Sequence, residues 1–145
     1  MKEYPNYRVA VEIVIVKGNK VLLTKRASDC VVAPNKWCVP AGKVKYEEIP
    51  ANACLRETRE EVKLDVKILK ELGVRAFKGL DSNNDVTYRL VYTYLVEIIG
   101  KNKEPIINEE HSEFCWIDKY EINDLKFNSL DENLKRMIYL GLDQK

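Results

Sequence analysis

Apolar residues at every second position are the first signal in this chain. From Tyr7 to Val16, Val9, Val11, Ile13 and Ile15 fall on one side and Ala10, Glu12, Val14 and Val16 on the other, a period of two that predicts a strand with apolar residues on both faces. Gly18-Asn19 follows, then Val21-Leu22-Leu23-Thr24; a two-residue turn between apolar runs predicts a β-hairpin. Ser28 to Lys36 has no period, and Trp37 to Gly42 is punctuated by Pro40 and Gly42, so both read as loop. Pro50 to Val62 reads as a helix with proline in its first turn. Its Ala51, Cys54, Leu55, Thr58 and Val62 share one face at about 100° per residue and are expected to pack on a sheet.

Further on, Asp65 to Lys78 is extended with a break at Gly73, Gly79 to Asp85 is a turn-rich loop, and Val86 to Ile98 is the clearest strand. Gly100 to Asn108 reads as loop and Phe114 to Ile117 as a short strand. Ser129 and Glu132 have capping-box spacing, with Leu130, Leu134, Met137 and Ile138 at helical intervals, which predicts an amphipathic C-terminal helix. Strands interleaved with two helices, without repeats or linker tracts, predict one mixed α/β domain over residues 1–145.

Composition narrows the possibilities. A chain of 145 residues with 46% hydrophobic positions can build one core without structural disulfides or metal. Lys and Arg number 24 against 23 Asp and Glu, a net charge of +1, so no overall basic field favours nucleic acid or an anionic membrane as partner. The longest apolar run, Val9 to Val16, is broken by Glu12 and falls far short of the ~20 residues that cross a bilayer. No signal-peptide pattern precedes it, so a cytoplasmic monomer or homodimer is expected. Cys30, Cys38, Cys54 and Cys115 have neither CxxC nor zinc spacing and are expected as reduced thiols.

Chemistry concentrates on the helix from Pro50 to Val62. Glu57, Glu60 and Glu61 fall on an arc beside its apolar stripe, with Arg56 and Arg59 on the far side of that arc. Glu57 and Glu61 are like charges one turn apart, which costs a helix about 0.2–0.5 kcal/mol unless a cation lies between them. A solvated acidic face is the ordinary explanation of three glutamates. The adjacent Pro/Gly loop favours the alternative, a hard cation such as Mg²⁺, which takes carboxylate and carbonyl oxygens and completes its shell with water and phosphate. His111 is the only histidine and reads as a surface group beside Glu109 and Glu110, which leaves Ser-His or Cys-His nucleophilic catalysis unsupported. Tyr88, Tyr92 and Tyr94 form a stripe that suits sheet packing or stacking on a base.

Gly42, Glu48 and the run Arg56-Glu57-Thr58-Arg59-Glu60-Glu61-Val62-Lys63-Leu64 are spaced as in the Nudix hydrolase signature, and the chain resembles that family. In a chain of this composition, Gly, Arg and four Glu meet those offsets by chance on the order of 10⁻⁵ times. The hairpin ending in Arg26, then Trp37, Pro40 and Glu110-His111-Ser112-Glu113 before Trp116-Ile117, extend the resemblance over residues 7 to 118. It implies a Nudix-like α/β/α sandwich around a mixed sheet and a metal-dependent hydrolase that cleaves a nucleoside diphosphate linked to another group. The resemblance makes Glu57, Glu60 and Glu61 ligands of Mg²⁺, or of Mn²⁺, with Glu57 a ligand or the base that orients water. It gives Arg56 an ion pair, with Glu48 as partner, that aims the glutamates. It also has the Ala41 carbonyl face the metal, Glu110 or Glu113 add a carboxylate, and Arg26 meet substrate phosphates.

Two positions depart from the pattern. Lys63 stands where the family has Gly, and Ala41 replaces the first of two glycines. Because the spacing on both sides of Lys63 is unbroken, a left-handed helix exit is expected there despite the missing glycine. The marks of the ADP-ribose, dinucleoside polyphosphate, NADH and coenzyme A branches are absent, so the chain resembles the MutT-like branch, which hydrolyses nucleoside triphosphates to monophosphate and pyrophosphate. Nucleotide sugars, dinucleoside polyphosphates, RNA 5′ ends and a non-catalytic nucleotide-binding module stand as alternatives.

Overall fold

A strand apolar on both faces needs cover on both, and Tyr7–Lys17 finds it in the middle of the sheet. In the computed structural model, which describes residues 6–31, 33–81 and 83–143, the elements in chain order are β1 (Tyr7–Lys17), β2 (Lys20–Arg26), β3 (Trp37–Cys38), β4 (Ala41–Lys43), α1 (Pro50–Val62), β5 (Val66–Leu80), β6 (Val86–Ile98), β7 (His111–Ile117) and α2 (Glu132–Asp143). Val11, Ile13 and Ile15 pack with Ala53, Cys54 and Val62 of α1, while Val14 and Val16 pack with Leu134 and Ile138 of α2. One helix therefore lies on each face of the sheet. The α/β/α sandwich is as expected.

The sheet is mixed. β1 pairs with β2 antiparallel through the Gly18-Asn19 turn, where Gly18 has φ +62°, and with β6 parallel from Tyr7↔Tyr88 to Val16↔Glu97. β5 lies antiparallel outside β6, β3 and β7 pair with β2, and β4 pairs with β1 through Val11↔Gly42 and Glu12↔Ala41. This last pairing brings the loop ahead of α1 to the centre of the sheet.

Several elements differ from the sequence pattern. The segment from Trp37 to Gly42 contains two short strands, too brief for any period to show. Gly73 does not break the extended segment; β5 is continuous to Leu80, with bulges between Ile68 and Lys70 and between Glu71 and Gly73. A Cβ at Gly73 would stand 2.6 Å from Met137 Cε, so the missing side chain makes room for α2. β7 begins at His111, earlier than Phe114. α2 begins at Glu132, so Ser129 lies outside it and Glu132 is its first residue, not the third that a capping box requires. All four cysteines are free thiols. Among the described residues no helix is long and apolar enough to cross a membrane.

Candidate active site

α1 turns a different stripe toward the sheet from the one its apolar residues suggest. Ala53, Cys54, Glu57, Thr58 and Val62 are buried, whereas Ala51 and Leu55 are only partly so. Gly42 of β4 permits this rotation: a Cβ there would lie 2.0 Å from Glu57 Cδ, in space the carboxylate occupies. Thr58 adapts to its buried position by donating its hydroxyl to the Cys54 carbonyl at 2.7 Å.

Arg56 organises the acidic cluster. Its Nε and Nη2 donate to the two oxygens of Glu48 at 2.8 Å each, and Nη2 also donates to the Lys43 carbonyl at 2.9 Å. The remaining nitrogen, Nη1, donates to Glu57 Oε1 at 2.9 Å and Glu60 Oε2 at 3.1 Å. A planar guanidinium held by a two-pronged pair has little freedom left, so it fixes where Glu57 and Glu60 begin. These bonds to Arg56 hold the Glu48 carboxyl down at about 2.

Glu57 and Glu61 carry carboxylates that folding makes harder to ionise. Burial raises the Glu57 carboxyl above its ordinary value, opposed by Arg56. Burial pushes Glu61 up to about 7, and the negative charges of Glu110 and Glu57 add to the shift. Glu61 Oε2 is buried without a hydrogen-bond partner, and so is Nδ1 of His111, 3.6 Å away. His111 is thus no surface group; its side chain is 4% exposed. A register shift between Lys25 and Arg26 sets His111 opposite Arg26, and a bulge turns side chains in a way that composition does not reveal.

Glu57, Glu60 and Glu61 share a cleft of about 390 Å³ with Gly42, Lys43, Asn108 and Glu110. Of the two further carboxylates considered, the structure brings Glu110 to this cleft. Glu113 instead pairs with Lys25 at 3.4 Å and is not among the cleft residues. Ala41 is exposed, in register with Glu12, and Gly42 and Lys43 line the cleft in its place. Arg26 ends β2 near enough for its charge to pull Glu61 and His111 downward in pKa. Lys63 adopts the left-handed exit, φ 58° and ψ 36°, and its N–H donates to the Arg59 carbonyl. Arg59 itself pairs with Asp65 away from the cleft.

Among the described residues no three His, Cys, Asp or Glu side chains already converge as a metal cage, and Arg56 Nη1 bonds both Glu57 and Glu60. The donor set nonetheless fits a hard divalent cation. It consists of oxygen atoms, two of its carboxylates are penalised for their charge, and one buried oxygen has no partner.

A second charged group escaped the sequence reading, which noted Glu12 only as an interruption. Arg75 Nη2 donates to both Glu12 oxygens at 2.8 Å, Arg75 also pairs with Asp131, and Thr93 donates to Glu12 at 3.3 Å. Beside it lies a cleft of about 420 Å³ lined by Arg75, Ala76, Phe77, Asp131 and Asn133. The tyrosine stripe is largely structural: the rings of Tyr92 and Tyr94 stack at 6.4 Å, and Tyr94 is buried against the α1 core.

A mixed sheet between two helices, with a glutamate cluster on the helix that follows a glycine-bearing strand, defines a hydrolase class. Residues 6–138 match the NUDIX domain, and the chain belongs to that family, whose members generally use divalent metal ions. It is similar to nucleoside triphosphatase NudI of Enterobacter sp. (strain 638), 29% identical over 125 residues that span 83% of this chain and 89% of that protein. It is also similar to the dihydroneopterin triphosphate diphosphatase of Haemophilus influenzae, 25% identical over 156 residues covering 96% and 92%. The 8-oxo-dGTP diphosphatase of Escherichia coli is 30% identical over 98 residues, covering 68% and 75%. The MutT protein from Methanosarcina mazei Go1 shares the fold, with a TM-score of 0.72 and 19% identity over 99% of this chain and 97% of that one. The chain is a MutT-like Nudix hydrolase.

Proposed function

We propose that the protein hydrolyses a nucleoside triphosphate to the monophosphate and pyrophosphate, with Mg²⁺, replaceable by Mn²⁺, held by Glu57, Glu60 and Glu61. The observation that carries this reading is the pair of desolvated carboxylates, Glu57 and Glu61, facing one cleft with Glu60 and Glu110. The names of the relatives, which describe triphosphatases and diphosphatases, support it.

When bound, the cation would neutralise polyphosphate oxygens and lower the pKa of the attacking water. Each residue of the chain then has a defined task. Arg56, anchored by Glu48, holds Glu57 and Glu60 in place. Glu57 either binds the ion or accepts the proton of the water, and its buried carboxylate is a better base than an exposed one. Glu110 adds negative charge to the cleft, and the carbonyl of Ala41, the residue before Gly42 of the cleft, would add an oxygen ligand. Arg26 and Lys43 offer positive charge for substrate phosphates. For the nucleoside, the second cleft offers the apolar ring of Phe77 and the hydrogen-bonding groups of Arg75, Asp131 and Asn133.

The test is incubation of the purified protein with Mg²⁺ and a panel of nucleoside triphosphates, nucleotide sugars and dinucleoside polyphosphates, with identification of products. Monophosphate and pyrophosphate are expected. Glu60→Gln and Glu61→Gln should each lower turnover by about a hundredfold or more while the fold persists. Near-native activity with both changed would refute the assignment.

A further inference from the structure

Two buried polar atoms without partners face each other, one of them on a glutamate of the acidic cleft. His111 Nδ1 and Glu61 Oε2 are 3.6 Å apart, each closed off from solvent and each without a hydrogen bond. Chance juxtaposition is costly, since each buried polar atom without a partner has given up its hydrogen bonds to water. The pair is also complementary. An imidazole that carries its proton on Nδ1 has an N–H to donate there, and a carboxylate oxygen accepts one. Of the two Glu61 oxygens, Oε2 is the one turned toward His111 of β7.

We propose that His111 is a positioning residue for Glu61: its Nδ1–H donates to Glu61 Oε2 and so directs the other oxygen of that carboxylate to the divalent cation. The inference rests on the cation site proposed above. A shift of a few tenths of an ångström closes the gap to hydrogen-bond length. Such a bond fixes the carboxylate rotamer, and with it the direction from which Glu61 meets the ion; partners of this kind support metal ligands by about 10–100-fold in affinity. Strand pairing fixes the main chain that carries the imidazole. Arg26 and His111 are paired residues of β2 and β7, and the preceding Glu110 carbonyl accepts the Ala27 N–H at 2.9 Å. The entry to β7 thereby delivers Glu110 to the cleft and, one residue on, His111 to the Glu61 carboxylate.

Three measurements decide the matter. Mn²⁺ affinity is read without substrate from the free-ion electron paramagnetic resonance signal, for the wild type, His111→Leu, His111→Asn and Glu61→Gln. Leucine and asparagine have the same shape and differ in the donor. About tenfold weaker binding is expected for His111→Leu and substantial recovery for His111→Asn, with no further loss on adding His111→Leu to Glu61→Gln. Equal affinity of His111→Leu and wild type, or equal loss in both His111 variants, would overturn the proposal. Unchanged affinity in Glu61→Gln would instead overturn the cation site itself. A third readout needs no variant: His111 is the only histidine, so the imidazole ¹⁵N spectrum of Mg²⁺-loaded protein reports its tautomer directly. Protonation at Nδ1 is expected; a proton on Nε2 alone would refute the bond.

Discussion

Glu61 is a carboxylate that folding works against, so removing its charge should stabilise the metal-free protein at alkaline pH. Its side chain is 13% exposed; burial, then the charges of Glu110 and Glu57, raise it from 4.5 to about 7 against the pull of Arg26. Between those two values the folded chain binds more protons than the unfolded one. Stability therefore falls as pH rises through this window and reaches its lowest contribution above pH 7. At 1.36 kcal/mol per unit, the shift corresponds to about 3 kcal/mol at pH 8 and to less than about 0.5 kcal/mol at pH 4.5. Glu61→Gln keeps the size and removes the titration. Urea denaturation in excess EDTA should show the variant more stable than wild type by about 2–3 kcal/mol at pH 8, with the two converging near pH 4.5. Adding Mg²⁺ at pH 8 should stabilise the wild type far more than the variant. Wild-type and Glu61→Gln stabilities that run parallel from pH 4.5 to pH 8 in EDTA would refute the reasoning.

Two further outcomes follow from backbone and packing. Lys63 holds φ 58°, so Lys63→Gly should stabilise the fold by up to about 1 kcal/mol; the Lys63 Nζ bond to the Glu60 carbonyl is exposed and offsets little of this. A lower urea midpoint at unchanged slope would contradict it. Gly42→Ala collides with the Glu57 side chain, not with backbone, so the melting transition should survive while, on the proposed role of Glu57, turnover drops up to about a hundredfold, the scale of a 1 Å misplacement. A Gly42→Ala enzyme with native turnover would show that the Glu57 position is not critical.

Regular elements were legible in the sequence where a period ran long enough. The double-sided alternation of Val9 to Val16, the Gly18-Asn19 turn, the helix opened by Pro50 and the strand Val86–Ile98 all appear as read, because each is specified by local spacing. What spacing could not show is contact between distant segments. Glu57 reads as an edge residue of α1 until Gly42 is brought beside it by β4, and His111 reads as exposed until β7 pairs it with Arg26 and buries it 3.6 Å from Glu61. Lys63 is the instructive intermediate: its residue type argued against a left-handed exit, but the unbroken spacing around it argued for one, and the packing of the helix prevailed. Glu12 and Arg75 lie 63 positions apart, and only the pairing of β1, β6 and β5 makes them neighbours.

The parallel pairing of β1 with β6 also governs the order in which the chain can become a protein. Residues 7 to 16 find their partners at 88 to 97, so on a ribosome adding about 5–20 residues per second the first strand waits several seconds for its mate. During that interval the β1–β2 hairpin can form, but one edge and both apolar faces of β1 are uncovered, and the glutamate helix has no completed sheet to lie on. Synthesis thus exposes a sticky, two-sided ribbon early and closes it late. Nascent chains arrested before Val86 should be captured by chaperones or aggregate, whereas chains released beyond α2 should not.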